Sequence, residues 1–298
     1  MDYVVVSESD FHRQTYGEQY NPAYSGEWSR GLGADRSGND EPKHARRIIG
    51  RRALLELINA VSAKHKSGAT VVNLGIGTPE EIARQVALNP RKSLCHEFIL
   101  TVESGAIGGT PAGGMSFGAT SHPEAVIKQA ELFDFYDGGG IDIAFLGFGQ
   151  IDKRGRVNVA SLGSKLNGVG GFINISQAAK RLIFCGSFTA SGLQVMSDEG
   201  ESFSIKKEGR IHKLVECVDR ICYDPDGRTR CRDPLVITER AVMKLSSDGL
   251  EVIEVAPGID LQRDILDRSE FPLKVSPQLK TMPLSVFGNG EVISPFVT

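Results

Sequence analysis

Apolar residues along this chain fall into short dense runs and spaced stripes, and the two patterns predict strands and helices in turn. Val71-Val72-Asn73-Leu74, Phe98-Ile99-Leu100-Thr101-Val102, Ile141 to Gly147 and Arg181 to Cys185 are short runs bounded by turn residues, which predicts buried strands. From His44 to Val61, Ile49, Ala53, Leu57 and Val61 recur at i, i+4 with Leu54 and Ile58 alongside, which predicts a helix. Thr78-Pro79-Glu80-Glu81 offers an N-cap, a first-turn proline and, in Glu81, a capping-box acid, so a second helix is expected to start there. A third is expected from Ser121 to about Ala130. Arg156 to Val159 alternates like a sheet edge or hairpin. Later the pattern turns to strands, over Ile211 to Val218 and Leu235 to Leu245, the latter closed into a hairpin with Leu250 to Val255 by Asp248-Gly249. A short helix is expected from Asp260 to Asp267. Strands alternating with helices early and hairpins late predict an α/β fold: an open, largely parallel sheet flanked by helices, with an antiparallel extension.

The N-terminal part reads differently. Residues 1 to 6 predict a strand, and Ser7 to Pro42 an irregular lead-in whose Tyr16, Tyr20, Tyr24 and Trp28 are suited to packing on another surface. Arg30 to Asn39 is expected to be mobile. Arg46, Arg47, Arg51 and Arg52 make the first predicted helix basic at its start, which reads as a solvated face, attraction of a phosphorylated ligand being the alternative.

Composition narrows the classes. With 298 residues the chain can bury a substantial core, and its net charge of -3 argues against a general binder of nucleic acid or anionic membrane. No apolar run reaches membrane-spanning length, and the first residues have neither the basic nor the apolar region of a secretory signal, so a cytoplasmic location is expected. Cys95, Cys185, Cys217, Cys222 and Cys231 form no C-x-x-C pair, so neither zinc nor a disulfide framework is expected, and most of them read as reduced core residues. No metal is expected.

Candidate chemistry concentrates at the end of the Phe98–Val102 run. One carboxylate, Glu103, is followed by Ser104 and by six glycines up to Gly118. An acid at a strand-to-loop turn is ordinary by itself. Glycines at this density let backbone reach positive φ and approach a ligand closely, which suggests an acid aimed into a cleft walled by amides. Gly75-Ile76-Gly77, between a strand and a helix start, reads as a second ligand-touching loop. It is not a dinucleotide fingerprint, because Glu80 stands where the third glycine belongs, and no phosphate-loop lysine follows. Asn167-Gly168-Val169-Gly170-Gly171 is either a plain turn or a further set of free amides able to hold an oxyanion. His122, beside Pro123, reads as a loop residue, with an acid–base role as the alternative.

These stretches resemble a known family. Glu103-Ser104-Gly105-Ala106-Ile107-Gly108-Gly109-Thr110-Pro111-Ala112-Gly113-Gly114 is similar to the glutamate motif of family I coenzyme A transferases, in particular the propionate (acetate) CoA-transferase branch. The similarity continues through Phe133 to Gly140, Gly168 to Asn174, Thr238 to Val242 and Ala256 to Asp260, and Tyr16 to Glu27 resembles the segment that joins two halves of a longer chain. The resemblance implies a lead-in or inter-half linker over residues 1–43 and a β-type catalytic domain over 44–298. The first, α-type half would then come from a separate chain or be a missing segment, and the protein would assemble as an oligomer. It further implies Glu103 as nucleophile, Gly170 and Gly171 as backbone donors to the oxyanion, each worth about 3 kcal/mol, and Gly75, Ile76, Gly77 and Gly168 as contacts for CoA. Coenzyme A would be a substrate, with no tightly bound cofactor. An acyl-CoA and a short-chain carboxylate would be the other partners. Little transferase activity is expected from this chain alone. The alternatives are an acyl-CoA thioester hydrolase using the same glutamate and a non-catalytic CoA-binding remnant. One departure stands at His122, where the family pattern leads one to expect Asn before the proline.

Overall fold

The computed structural model describes residues 2–27, 44–64, 68–88, 97–163, 165–198, 202–288, 290 and 292. At its centre are strands covered on both faces, which is why their sequences are continuous apolar runs rather than alternating ones. Label the main-sheet strands β1 (Thr70–Leu74), β2 (Phe98–Val102), β3 (Ala106–Ile107), β4 (Ala125–Val126), β5 (Ile143–Gly147), β6 (Arg181–Cys185), β7 (Leu235–Ile237), β8 (Ala241–Ser246), β9 (Gly249–Val255) and β10 (Lys274–Thr281). They form one ten-stranded sheet in the order β10-β9-β8-β7-β6-β5-β1-β2-β3-β4. The middle five, β7-β6-β5-β1-β2, are mutually parallel. Antiparallel pairs extend it on both sides, through β8 and β9 as expected and also through β3 and β4.

Side-chain alternation splits the core into two layers. Ile143, Phe145, Ile183, Val72 and Leu74 pack with α1 (His44–Lys64) and α2 (Glu80–Leu88). Ala144, Leu146, Leu182 and Phe184 pack on the other face with α3 (Gln129–Phe135) and α4 (Phe172–Ala178). Helix α1 forms as expected, but from Ile48 to Val61 it is buried nearly all round rather than along one stripe.

Several expectations are corrected. Arg51 and Arg52 are buried rather than solvated. Arg51 donates to the carbonyls of Ser285, Val286 and Gly290, and Arg52 forms a two-pronged pair with Glu254 at 2.8 Å and reaches Glu56 at 2.8 Å. No strand forms over the described residues 2–6, where Tyr3, Val5 and Val6 are each 90% exposed and no sheet offers them partners. The Ser121–Ala130 helix is absent. Glu124 N–H donates to Ile107 O and Ile127 N–H to Gly105 O, so this stretch pairs as β4 and α3 begins only at Gln129. The Leu235–Leu245 strand folds into β7 and β8 at Thr238, whose hydroxyl accepts from Ala241 N–H. Ile211 to Val218 forms two two-residue strands, Ile211–His212 and Leu214–Val215. Arg30 to Asn39, Trp28 and Cys95 lie outside the described residues; Cys185, Cys222 and Cys231 are buried and free, and Cys217 is exposed.

A charged cluster sits beyond the carboxyl ends of β6 and β7. Arg240, fully buried, bonds Glu239 at 2.7 Å and Glu208 at 2.8 Å. Lys213 lies beside it with Nζ 3.7 Å from the Phe148 ring centroid, and a Cβ on Gly186 would come within 2.8 Å of that ammonium. Burial pulls the Lys213 pKa down to about 7, against the attraction of Glu239. An unfolded chain keeps this proton to about pH 10.4. Between these values the unfolded state binds more protons, so stability rises with pH. Denaturant unfolding of the wild type is therefore expected to show a gain between pH 7 and 9 that Lys213→Met lacks, up to about 1.4 kcal/mol per pH unit.

Candidate active site

Parallel α/β sheets place ligands beyond the carboxyl ends of their strands, where the strand order reverses. Here the reversal is at β1, since β2 pairs on one side and β5 on the other. Gly75 to Gly77 follows β1, and Glu103 follows β2.

A tight turn sets the direction of Glu103. Gly105 N–H donates to Val102 O at 2.9 Å, and the chain returns as β3. Gly105 has φ of 119°, and a Cβ there would lie 1.9 Å from Ile127 O, so only glycine fits. Glu103 itself is half-buried, and its Oε2 is buried with no hydrogen-bond partner. Burial pushes its carboxyl above the ordinary range, while its own backbone N–H and the Asn73 side chain pull the other way. An orphaned, desolvated carboxylate oxygen is destabilising as structure, and such atoms call for a functional explanation.

Behind it runs a buried polar chain that sequence reasoning missed. The Tyr136 hydroxyl donates to Thr101 Oγ1 at 2.8 Å, Thr101 donates to Val72 O at 2.9 Å, and Asn73 Nδ2 lies 3.4 Å from the Tyr136 hydroxyl. Asn73 and Tyr136 are wholly buried, and burial pushes the Tyr136 pKa up to about 12. The available signal was one amide, Asn73, between the apolar Val72 and Leu74 of β1. Because that amide lowers the Glu103 pKa, Asn73→Ala is expected to move the acid limb of any reaction that needs ionised Glu103 to higher pH. A pH profile of the reaction rate, wild type against variant, measures this; an unmoved or lowered limb contradicts it.

The third glycine cluster meets Glu103 directly. A Cβ on Gly171 would stand 3.2 Å from Glu103 Cγ. Gly171 caps the N-terminal end of α4, and neither its amide nor that of Gly170 has a protein partner among the described residues. The other candidates differ. Gly168 N–H is committed to Ala160 O at 3.0 Å. Gly75 N–H is bonded to Phe145 O, and its missing Cβ makes room for Leu146. Gly77 N–H donates to Glu80 Oε1 at 2.9 Å, so Glu80, not Glu81, reaches back at this helix start. Glu81 is buried against Gln85. Ile76, 60% exposed, is the outward part of that loop.

His122 occupies positive φ, 54°, a conformation that Asn and His tolerate better than other side chains. The departure from Asn therefore preserves the local backbone. A cavity of about 480 Å³ lies elsewhere, at the amino ends of β5, β6 and β7, lined by Ile143, Arg181, Arg232 and Leu235 among others, on the opposite edge of the sheet from Glu103. Among the described residues no group of three or more His, Cys, Asp or Glu side chains is placed to hold a metal ion, and no helix is long and apolar enough to cross a membrane.

Several known proteins similar to this chain are CoA-transferases, while the decarboxylase AibA/AibB shares the fold alone, with a TM-score of 0.57 at 19% identity. The acetate CoA-transferase YdiF of Escherichia coli O157:H7 is 38% identical over 286 residues, which is 95% of this chain and 51% of YdiF. Its crystal structure, a thioester complex with CoA, superposes with a TM-score of 0.72 at 36% identity, over 86% of this chain and 46% of that one. The caffeate CoA-transferase of Acetobacterium woodii is 39% identical over 294 residues, covering 96% of this chain and 53% of that protein. The acetate CoA-transferase subunit beta of Haemophilus influenzae is 25% identical over 257 residues, 82% of this chain and 98% of that subunit. No protein-family model matches the chain. Over nearly its whole length the chain is similar to CoA-transferases, and its extent matches that of a β-type subunit. Within that class its strong similarity is to YdiF and the caffeate enzyme, and it spans about half the length of each.

Proposed function

We propose that this chain supplies the glutamate half of an acyl-CoA:carboxylate CoA-transferase acting on short-chain acids such as acetate and propionate. The observation that carries the reading is Glu103: a desolvated carboxylate with an unpartnered oxygen, packed against a turn whose Gly170 and Gly171 amides are free. A carboxylate nucleophile suits transfer between acids because every covalent intermediate keeps its acyl activation. Glu103 attacks the acyl-CoA carbonyl and expels CoA thiolate, leaving a mixed anhydride. The thiolate attacks the glutamyl carbonyl, releasing the first carboxylate and leaving a glutamyl-CoA thioester. An incoming carboxylate attacks that thioester, thiolate returns to the new acyl carbonyl, and free Glu103 is restored. Each addition places negative charge on a tetrahedral oxygen, for which the Gly170 and Gly171 amides are the donors. The exposed Ile76 would lie along the pantetheine arm. The thioester captured in the YdiF structure supports this sequence of steps.

The active assembly includes an α-type half, on a separate chain or on a segment outside this sequence, in the cytosol. Exposed apolar side chains around Glu103, Ile76 at 60%, Met115 at 68% and, in the first turn of α4, Ile173 at 38%, support a covered cleft. Water exclusion there protects anhydride and thioester. The test is acyl-CoA consumption by this chain with its α-type half, with and without acetate. Acetate-dependent formation of acetyl-CoA is expected; loss of acyl-CoA at the same rate without any acid would make the protein a hydrolase.

A further inference from the structure

The lead-in segment makes contacts that its composition did not foretell. Tyr16 and Tyr20 project outward, 85% and 55% exposed, while Tyr24 is half-buried with its hydroxyl hydrogen-bonded to Glu18 and Ser116. Backbone and small polar groups supply the other contacts. Gln14 N–H bonds Gln19 O, Asn21 N–H bonds Gln14 Oε1 at 2.6 Å, and Glu18 N–H bonds Thr15 Oγ1 at 2.9 Å, which closes residues 14–21 on themselves. This closed unit grips the loop that follows Glu103 at two places. Near the tip, Gly17 N–H donates to Met115 O at 3.1 Å and the Thr15 and Ser116 hydroxyls meet at 2.9 Å. At the loop's far end, His122 N–H donates to Ala23 O at 2.8 Å, holding the one residue of that loop, other than glycine, with positive φ. Ala23 is buried, and a Cβ on Gly17 would sit 2.7 Å from Ser116 Oγ, so the approach is close.

The gripped loop leads directly to Glu103. Thr110–Pro111 pairs with Thr120–Ser121, which makes residues 110–121 one hairpin. The hydroxyl of Ser104, the neighbour of Glu103, donates to Gly118 O within that hairpin.

We propose that Gln14–Tyr24 is a positioning clamp for Glu103: it holds the 110–122 hairpin at Met115–Ser116 and at His122, and through Ser104 fixes the aim of the carboxylate. Thr15, Gly17 and His122 are its positioning residues. The inference rests on Glu103 being the reacting group. A substitution far from the chemistry that misplaces a reacting group by about 1 Å lowers rates by about 100-fold.

The experiment uses the full chain with its α-type half and compares wild type with Gly17→Val, Thr15→Val, His122→Val and His122→Asn. Two readouts are taken: amide hydrogen exchange over residues 104–122 against the central strands, and the rate of covalent CoA attachment at Glu103 against the equilibrium affinity for CoA. Gly17→Val and His122→Val are expected to raise exchange in 104–122 about 10-fold or more with β1 and β5 unchanged, and to slow attachment about 10- to 100-fold with CoA affinity held within about twofold. Thr15→Val moves both in the same direction by less, and His122→Asn, which accepts the same φ, retains wild-type behaviour. Unchanged exchange in 104–122, or loosened exchange with attachment at the wild-type rate, overturns the clamp. Should Gly17→Val fail to fold, Thr15→Val and the His122 pair decide. Absence of attachment in the wild type would instead overturn the role of Glu103, and the exchange data would still report on the grip.

Discussion

Glu103→Gln is expected to lower transferase turnover by about 10⁴-fold or more, the scale seen when an enzyme nucleophile is removed. The substitution is isosteric, so it leaves the turn at Gly105 and the contact with Gly171 in place. It replaces a carboxylate, which can attack a thioester and be esterified in turn, with an amide that can do neither. Stability is expected to move the other way. The folded state raises the Glu103 pKa through burial, so ionising it above its folded pKa disfavours the fold. The neutral amide removes that penalty, and the melting temperature of the variant at pH 7 is expected to equal or exceed that of the wild type. Steady-state assay and thermal unfolding of the same preparations check both. Loss of activity with a large drop in melting temperature would point to damage rather than chemistry.

Gly171→Val is expected to be the second most damaging change, for a steric reason. Gly171 has φ of -80° and ψ near 0°, outside the left-handed region that favours glycine, so a left-handed backbone is not at issue. Its neighbours are: a Cβ would meet Phe133 Cζ at 2.7 Å, Ile175 Cδ1 at 3.1 Å and Glu103 Cγ at 3.2 Å. Valine adds two further methyl groups. Overpacking of this kind costs about 1–3 kcal/mol of stability. Displacing the carboxylate from the adjoining amides is expected to lower turnover about 100-fold or more. Gly163→Val is a useful comparison, because nothing lies within 4 Å of its Cβ position; it is expected to leave turnover within about threefold, since its positive φ of 59° strains only an exposed turn. Equal effects at the two positions would contradict the argument from proximity.

The sequence made the parallel centre of the sheet legible, and the reason is local. Strands β1, β2, β5 and β6 are buried on both faces, so each is a self-announcing apolar run. Glu103 stood out as a candidate for a similar reason, because the glycines that let the chain turn at Gly105 and approach at Gly171 stand close to it or in an identifiable cluster. What was not legible depends on partners far away in the chain. Arg51 and Arg52 look like a solvated face until Ser285, Val286 and Glu254, more than 200 positions on, come to meet them. Residues 121–128 look like a helix start because Ser121 and Pro123 suit one, yet the free edge of β3 takes Glu124 and Ile127 into pairing instead. The Asn73–Tyr136–Thr101 chain joins three elements through single polar atoms, and no periodicity reports such a meeting. The lead-in was read by its aromatic rings, whereas its amides and hydroxyls make the contacts.

The central claim is that one carboxylate becomes bonded to coenzyme A. Intact-mass analysis of this chain, after incubation with an acyl-CoA in the presence of the α-type half, addresses it directly. The account predicts a species heavier by one CoA less one water in the wild type, mapped to the peptide carrying Glu103, discharged by acetate, and missing from Glu103→Gln. Turnover without any such species, or the same species in Glu103→Gln, would contradict it.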